Sequence, residues 1–313
     1  MAQDYTTTAL LASIKTRGLI PTSQRTFADI DLLTLANEEL QIGIVPFMMK
    51  NRSEYFVTDQ DQIINANQNN YTIPTRAIGG KVRGLVIVDS SGNEYDMPQI
   101  QKEDRRFYNT QSSNSGFYSF VFFFEGNDII LVPTPTQVSQ ASIRFGYYER
   151  PNQLILPTSA AQISSVNFTT NQITVSTVPS SINTSVQIDF IKGKPGFENK
   201  AIDQTILGIA GPILTFSSLP PNLIMGDYIA PSEQSPFPQI PLELHSMLAQ
   251  RTVVKVMEGL GDIQGLQTAQ SKLREMEDAA LHILSSRSDG NPKKLVNRYS
   301  PLRTWGNRGF TRY

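Results

Sequence analysis

Cysteine is absent from all 313 residues, so a disulfide framework, a thiolate nucleophile and a thiolate metal site are all excluded. Histidine is nearly absent. His245 and His282 lie far apart, without the His-x-x-x-His spacing of a helical metal site, and each reads as a packing or surface residue. Charged residues make up only 18% of the chain, below the common share, while Asn, Gln, Ser and Thr are plentiful. That bias fits a β-rich assembly protein better than a helical enzyme. The net charge of −1 gives the chain as a whole no electrostatic pull on nucleic acid. No apolar run reaches the roughly 18 residues of a membrane span. The opening Met1 to Tyr5 lacks a basic-then-apolar pattern, so no secretory signal is expected. Gly-x-Ser-x-Gly elbows, Walker loops and dinucleotide fingerprints are missing as well. The stretch from Lys192 to Gly196 lacks the Gly-Lys-Ser/Thr ending and reads as a turn. Asp59 with Asp61, and Glu103 with Asp104, read as loop solvation, because a working carboxylate pair needs a fold that sets it about 5–10 Å apart. No catalytic residue, metal or cofactor is therefore expected.

What is present is a pattern of segments. A chain of this length buries roughly three quarters of its unfolded surface, enough for more than one domain. Residues 1–54 read as helices. Leu10, Leu11 and Ile14 share one side of the first, which Gly18 and Pro21 end. Thr26 with Asp29 suggests a cap for the second, whose apolar stripe runs through Phe27, Ile30, Leu33, Leu40, Ile44 and Phe47. Asn37 is a polar residue in that stripe, and Pro46 should interrupt it. Residues 55–151 read as antiparallel β structure. Asp59 to Asn70 looks like a loop, and strands follow at 81–89, 117–124, 129–132 and 141–148, with a hairpin at Glu125-Gly-Asn-Asp128. Three phenylalanines in a row, Phe122 to Phe124, suggest a strand covered on both faces. Residues 152–239 alternate short β runs with Ser, Thr, Asn, Pro and Gly turns, as in an inserted sandwich or barrel, and Pro231 to Pro241 would be a stiff linker.

The segment at 240–288 predicts a helical hairpin that packs with the N-terminal helices, bent at Gly259-Leu-Gly-Asp262. Leu266, Ala269, Leu273, Met276, Ala280 and Ile283 step by threes and fours and form one apolar seam. Gly259 and Gly261 suit the stop of the first helix, and Asp262 suits the cap of the second. The chain closes with 289–313, an extended arm. From Asn291 it carries Lys293, Lys294, Arg298, Arg303, Arg308 and Arg312 without an acidic residue; that is +6, leaving −7 on the rest. Tyr299, Leu302, Trp305, Phe310 and Tyr313 interleave with these cations. Basic and aromatic residues in alternation suit an arm that orders against a partner, with aromatics as anchors and arginines on carboxylates. A mobile tail and a phosphate-binding arm are the other readings. The fold class expected is α+β: a helical hairpin or bundle, an antiparallel β region, an inserted small β domain and an extended arm.

In its order of segments the chain resembles the head-to-tail adaptor, or connector, proteins of tailed bacteriophages. The matching stretches are Leu32 to Leu40, Arg83 to Gly92, Asn127 to Pro135 and Phe145 to Leu154. Ile240-Pro-Leu-Glu-Leu244 then opens the hairpin that bends at Gly261-Asp262. The resemblance covers most of residues 8–287. It implies a virion protein at the head–tail junction, one of a ring of copies (a dodecamer), joined to the portal protein above and to tail or nozzle proteins below. It implies a lumen that passes DNA without sequence-specific contacts, and no membrane. The arm residues Arg298, Tyr299, Leu302, Arg303, Trp305, Arg308, Phe310 and Tyr313 would bind the portal. Leu266, Leu273, Met276 and Ile283 would pack the ring. A virion carbohydrate- or receptor-binding module, using the 152–239 domain, is the alternative, and a cell-wall hydrolase a third class.

Overall fold

A computed structural model describes residues 4–20, 27–108, 120–135, 141–193 and 196–284. The chain is a mixed α+β protein. Three helices lead: α1 (Thr7–Arg17), α2 (Asp29–Glu39) and α3 (Val45–Arg52). At the start of α2 the acid that reaches back is Asp31, not Asp29: its carboxylate accepts the Ala28 N–H at 2.8 Å. Asp29 pairs with Lys15 instead, and Thr26 lies outside the described residues. Between α2 and α3 the backbone widens into a π-turn, Leu40–Ile44. Pro46 has no N–H for the Ile42 carbonyl, so the interruption expected there takes the form of a wider turn rather than a break.

Two helices close the described chain, α5 (His245–Leu260) and α6 (Ile263–Ile283). Gly261 ends α5 with φ of 71°, a left-handed conformation that favours glycine. The Asp262 carboxylate accepts the Gly265 N–H at 2.9 Å and caps α6. α5 is the centre of the helical body. Its Met247, Leu248, Val253 and Val256 pack with Leu10, Leu11 and Ile14 of α1 and with Leu32, Leu33 and Ala36 of α2. Leu266, Leu273 and Met276 of α6 lie half-buried against the same core.

The β region holds β1 (Val57–Ile63), β2 (Asn70–Thr72), β3 (Ala77–Val88) and β4 (Glu94–Asp96). A short helix α4 (Arg105–Tyr108), then β5 (Val121–Glu125), β6 (Asp128–Val132) and β7 (Ser142–Glu149), complete it. One sheet runs β1-β7-β3-β4 and a second β2-β6-β5. Leu85, Ile87, Ile143, Phe145 and Tyr147 of the first sheet face Phe122, Ile129 and Leu131 of the second. The loop expected at Asp59–Asn70 is wrong at its start, because Val57–Ile63 is a strand. Its carboxylates are tolerated at the sheet edge since Asp61 lies opposite Arg144 of β7 and pairs with it at 2.7 Å. The phenylalanine run is covered on both faces only in part. Phe122 and Phe123 are buried in different clusters, whereas Phe124 is 39% exposed at the hairpin end.

β8 (Gln153–Leu154) leads into a closed six-stranded barrel. Its strands are β9 (Ala161–Asn167), β10 (Gln172–Val175), β11 (Gln187–Ile191), β12 (Asn199–Ala210), β13 (Ile213–Phe216) and β14 (Tyr228–Pro231). They close in the order β10-β13-β12-β11-β14-β9 around Ile163, Ile173, Ile188, Phe190, Ile206 and Leu214. The Pro-rich exit is no linker. β15 (Gln234–Ser235) pairs in parallel with β8, and Ser235, Phe237, Gln239 and Ile240 are buried. Proline-bearing chain with its N–H and C=O groups satisfied by neighbours packs inward as a strap. Its Pro236 carbonyl accepts the Thr7 N–H at 2.9 Å, which ties in the N-terminus.

Candidate functional site

Sheet, barrel, strap and helices meet around one buried cation. Arg76 sits in the turn before β3, 4% exposed, and points at β11. Its guanidinium grips Asp189, itself fully buried, with Nη1 to Oδ2 at 2.8 Å and Nη2 to Oδ1 at 2.9 Å. Nη2 also donates to Asp203 Oδ1 at 2.7 Å and to Ser232 Oγ at 2.9 Å. Burial opposes the charge on Arg76, but the bonds and field of Asp189 and Asp203 outweigh it and raise its pKa. Backbone strain serves the same spot. Asp203 and Glu233 take positive φ of 53° and 62°, conformations costing about 1 kcal/mol or more each. They deliver backbone N–H groups to Asp189 Oδ1 and Oδ2, each at 3.0 Å.

From Asp189 a chain of amides runs outward. Asn152 Nδ2 donates to Asp189 Oδ2 at 2.8 Å, and the Asn152 N–H donates to Gln239 Oε1 at 2.7 Å. Gln239 Nε2 donates to Asn199 Oδ1 at 2.7 Å, and Asn199 Nδ2 to Glu149 Oε1 at 2.8 Å. Burial raises the pKa of Glu149, at the end of β7. Asn37 explains its place in the apolar stripe of α2. It donates to the Leu154 carbonyl at 3.2 Å and accepts the Leu154 N–H at 2.7 Å, pairing a helix side chain with strand backbone. Two clefts flank the junction. One of about 210 Å³ is lined by Tyr55, Glu149, Asn199 and Gln239. The other, about 700 Å³, lies between α2 and the 150–153 and 232–234 segments.

Chemically this arrangement is a clamp. Both Asp189 oxygens are filled: one takes Arg76 and a backbone N–H, the other Arg76, Asn152 and a backbone N–H. No lone pair is left to take a proton from a substrate or to bind a metal. Among the described residues, no group of three or more His, Asp or Glu side chains is placed to hold a metal ion. No helix there is long and apolar enough to cross a membrane.

His245 starts α5 beside the clamp. Tyr5 meets its ring edge-on at 5.2 Å, Phe197 lies at 5.9 Å, and its Nε2 is buried without a hydrogen bond. Burial pushes its pKa down to about 4. His282 is exposed on α6. Phe197 is itself held at φ of 54° and stacks on Phe237 at 4.4 Å.

Of the residues expected to act, Leu266, Leu273 and Met276 turn toward this chain's own helical core. Ile283 is off the seam and 53% exposed. Leu284, buried at 2%, takes its place, because the last step from Ala280 is of four residues, not three. Arg298, Tyr299, Leu302, Arg303, Trp305, Arg308, Phe310 and Tyr313 lie outside the described residues. The clamp has no local signal in the sequence, since Arg76 stands 113 to 156 residues from Asp189, Asp203 and Ser232. The only hint was a polar residue inside an apolar stripe, Asn37. No protein-family model matches the chain, and no curated protein matches it.

Proposed function

We propose that the chain is a structural virion protein that assembles as a ring, joins the portal to the tail and lets DNA pass through its lumen. The reading rests on one observation: a body locked into a single shape is followed by a segment of opposite charge. The Arg76–Asp189 clamp fixes barrel to sheet, Asn37 and Thr7 tie helices to the β8 segment between the two, and the saturated carboxylate offers no reacting group. After α6 comes the +6 stretch with its aromatic residues. Such a body transmits force and position, and such an arm supplies anchors and arginines for a partner. The role is mechanical rather than catalytic.

The α6 seam lies half-buried against the chain's own core, so the ring contacts of this reading draw on the exposed surfaces beside it. Exposed aliphatics remain at Ile30 on α2, at Ile42 in the π-turn after it, and at Ile263, Leu281 and Ile283 on α6. Head-to-tail contacts of this kind close a ring when the rotation between neighbours permits. A body of net −7 suits a lumen in which DNA phosphates do not stick.

Deleting residues 291–313 tests the reading. The shortened protein is expected to unfold at the temperature of the full chain and to lose co-sedimentation with portal rings. Full attachment after the deletion removes the arm from the mechanism.

A further inference from the structure

The outer face of the four-stranded sheet has a gap in its side chains. β1 is an edge strand, paired with β7 alone. In one row across the sheet Asp59 lies opposite Gly146, and Gly146 opposite Gly84. Phe145 and Tyr147 point into the core, so Gly146 faces out. A Cβ built on Gly84 meets nothing within 4 Å, and one on Gly146 comes nearest to Asp59 Oδ1, at 3.2 Å. The row is a trough of bare peptide backbone with a carboxylate at its rim. The register with β7 shifts between Val82 and Gly84, and glycines in strand interiors mark such bulges as well as places where a ligand or another backbone approaches closely.

Asp59 is exposed and has no hydrogen bond or ion pair among the described residues. The nearest cation along β7, Arg144, is taken: its Nε and Nη2 hold Asp61 at 2.7 and 2.9 Å, and Nη1 holds Glu94. A flat backbone floor beside a free carboxylate fits a guanidinium, which lies on planar groups and pairs carboxylates through its fork. A second β1 would bring its own Asp59 and Asp61 against this edge, so like charge argues against strand-to-strand self-pairing.

We infer that the Asp59–Gly146–Gly84 trough is the seat for Arg298 from a second copy of the chain. Arg298 is the first arginine of the acid-free stretch that begins at Asn291. From Ile283 the intervening 15 residues span at most about 50 Å when extended, enough to reach a neighbour. The contact takes Arg298 out of the portal-binding set expected from the sequence, holds copies together, leaves Tyr299 to Tyr313 to continue to the portal, and can fail or stand independently of that attachment.

Because the chain has no cysteine, a cross-linking test is clean. Full-length Val86→Cys, whose residue sits one outward row from Gly84, is mixed with full-length Asn297→Cys and treated with a short bis-maleimide. The expected product joins positions 86 and 297 of two chains, and its yield falls as salt is raised. Adding Asp59→Asn or Gly84→Val to the Val86→Cys chain is expected to lower the yield about tenfold, the effect of losing one charge-assisted pair. A Cβ at Gly84 has nothing within 4 Å of it in its own subunit, and a native circular dichroism spectrum is required of the Gly84→Val chain before its yield is compared. Three results each overturn the inference: no 86–297 product from folded protein, a yield indifferent to both added substitutions, or a link forming only within one chain when both cysteines are on it.

Discussion

The helical hairpin and the polar junction are both held by buried contacts, yet they are built in opposite ways. α5 and α6 join through neighbours in sequence: a left-handed Gly261, a capping Asp262 and an apolar seam repeated every three or four residues. Each contact is modest, and several back one another up. The junction joins residues far apart in sequence through a few groups that cannot be replaced singly. Arg76 has lost nearly all its water and is repaid only while Asp189, Asp203 and Ser232 are present. The hairpin should therefore yield gradually and the junction abruptly.

The sharpest break is Asp189→Ala. It leaves a buried guanidinium with its Nη1 uncompensated and only Asp203 as counter-ion, and frees two backbone N–H groups, and the loss expected is about 3 kcal/mol or more in denaturant unfolding. Replacing both partners by apolar residues, Arg76→Met with Asp189→Leu, should recover much of that loss, since no charge is then left buried. If the double variant is no better than Asp189→Ala, the clamp is not what makes the junction fragile.

His245 lies where the two regions touch, and acid separates them. An unfolded chain binds its histidine proton near pH 6.5, whereas burial holds His245 down to about 4. The folded value is the lower one. The stability from His245 is thus whole above about pH 6.5 and is lost as pH falls toward 4, on the order of 3 kcal/mol in all. Glu149 works the other way, because burial raises its pKa and protonation relieves it. Unfolding midpoints at pH 7 and pH 4.5 should converge in His245→Phe, which keeps the contacts to Tyr5 and Phe197 without a titrating group. An unchanged slope in that variant would place the acid sensitivity elsewhere.

The same contrast explains what could be read from the residues alone. The mixed α+β class, four of the seven β-region strands (β3, β5, β6 and β7) and the hairpin with its Gly261–Asp262 bend follow from local period and turn chemistry, which are written in adjacent positions, whereas the three-residue strands β2 and β4 are too short to carry a period. The end of the seam is ambiguous in sequence because two helical steps, to 283 or to 284, are equally regular, and packing chooses the second. β1 looks like loop in sequence because Asp59 and Asp61 read as solvated until Arg144, 83 residues on from Asp61, is set beside them. The buried strap looked like a linker for the same reason: its prolines signal stiffness, but what covers Phe237 and Ile240 lies in other segments. Nothing near Arg76 in sequence marks it as the centre of the junction.

The smallest expected effect lies in the hairpin. Asp262→Ala removes the acceptor for the Gly265 N–H, a loss of about 1 kcal/mol for an N-cap. The hairpin keeps its other ties: Gln250 Nε2 still donates to the Ala269 carbonyl at 3.1 Å, and Arg251 still bridges Glu39 and Glu277. The damage should accordingly stay local. Amide exchange is expected to rise at Gly265 and Leu266 while the unfolding midpoint moves little and its denaturant slope not at all. A drop as large as that of Asp189→Ala would mean that α6 is seated by its first turn rather than by its seam, and the two regions would then fail by the same mechanism.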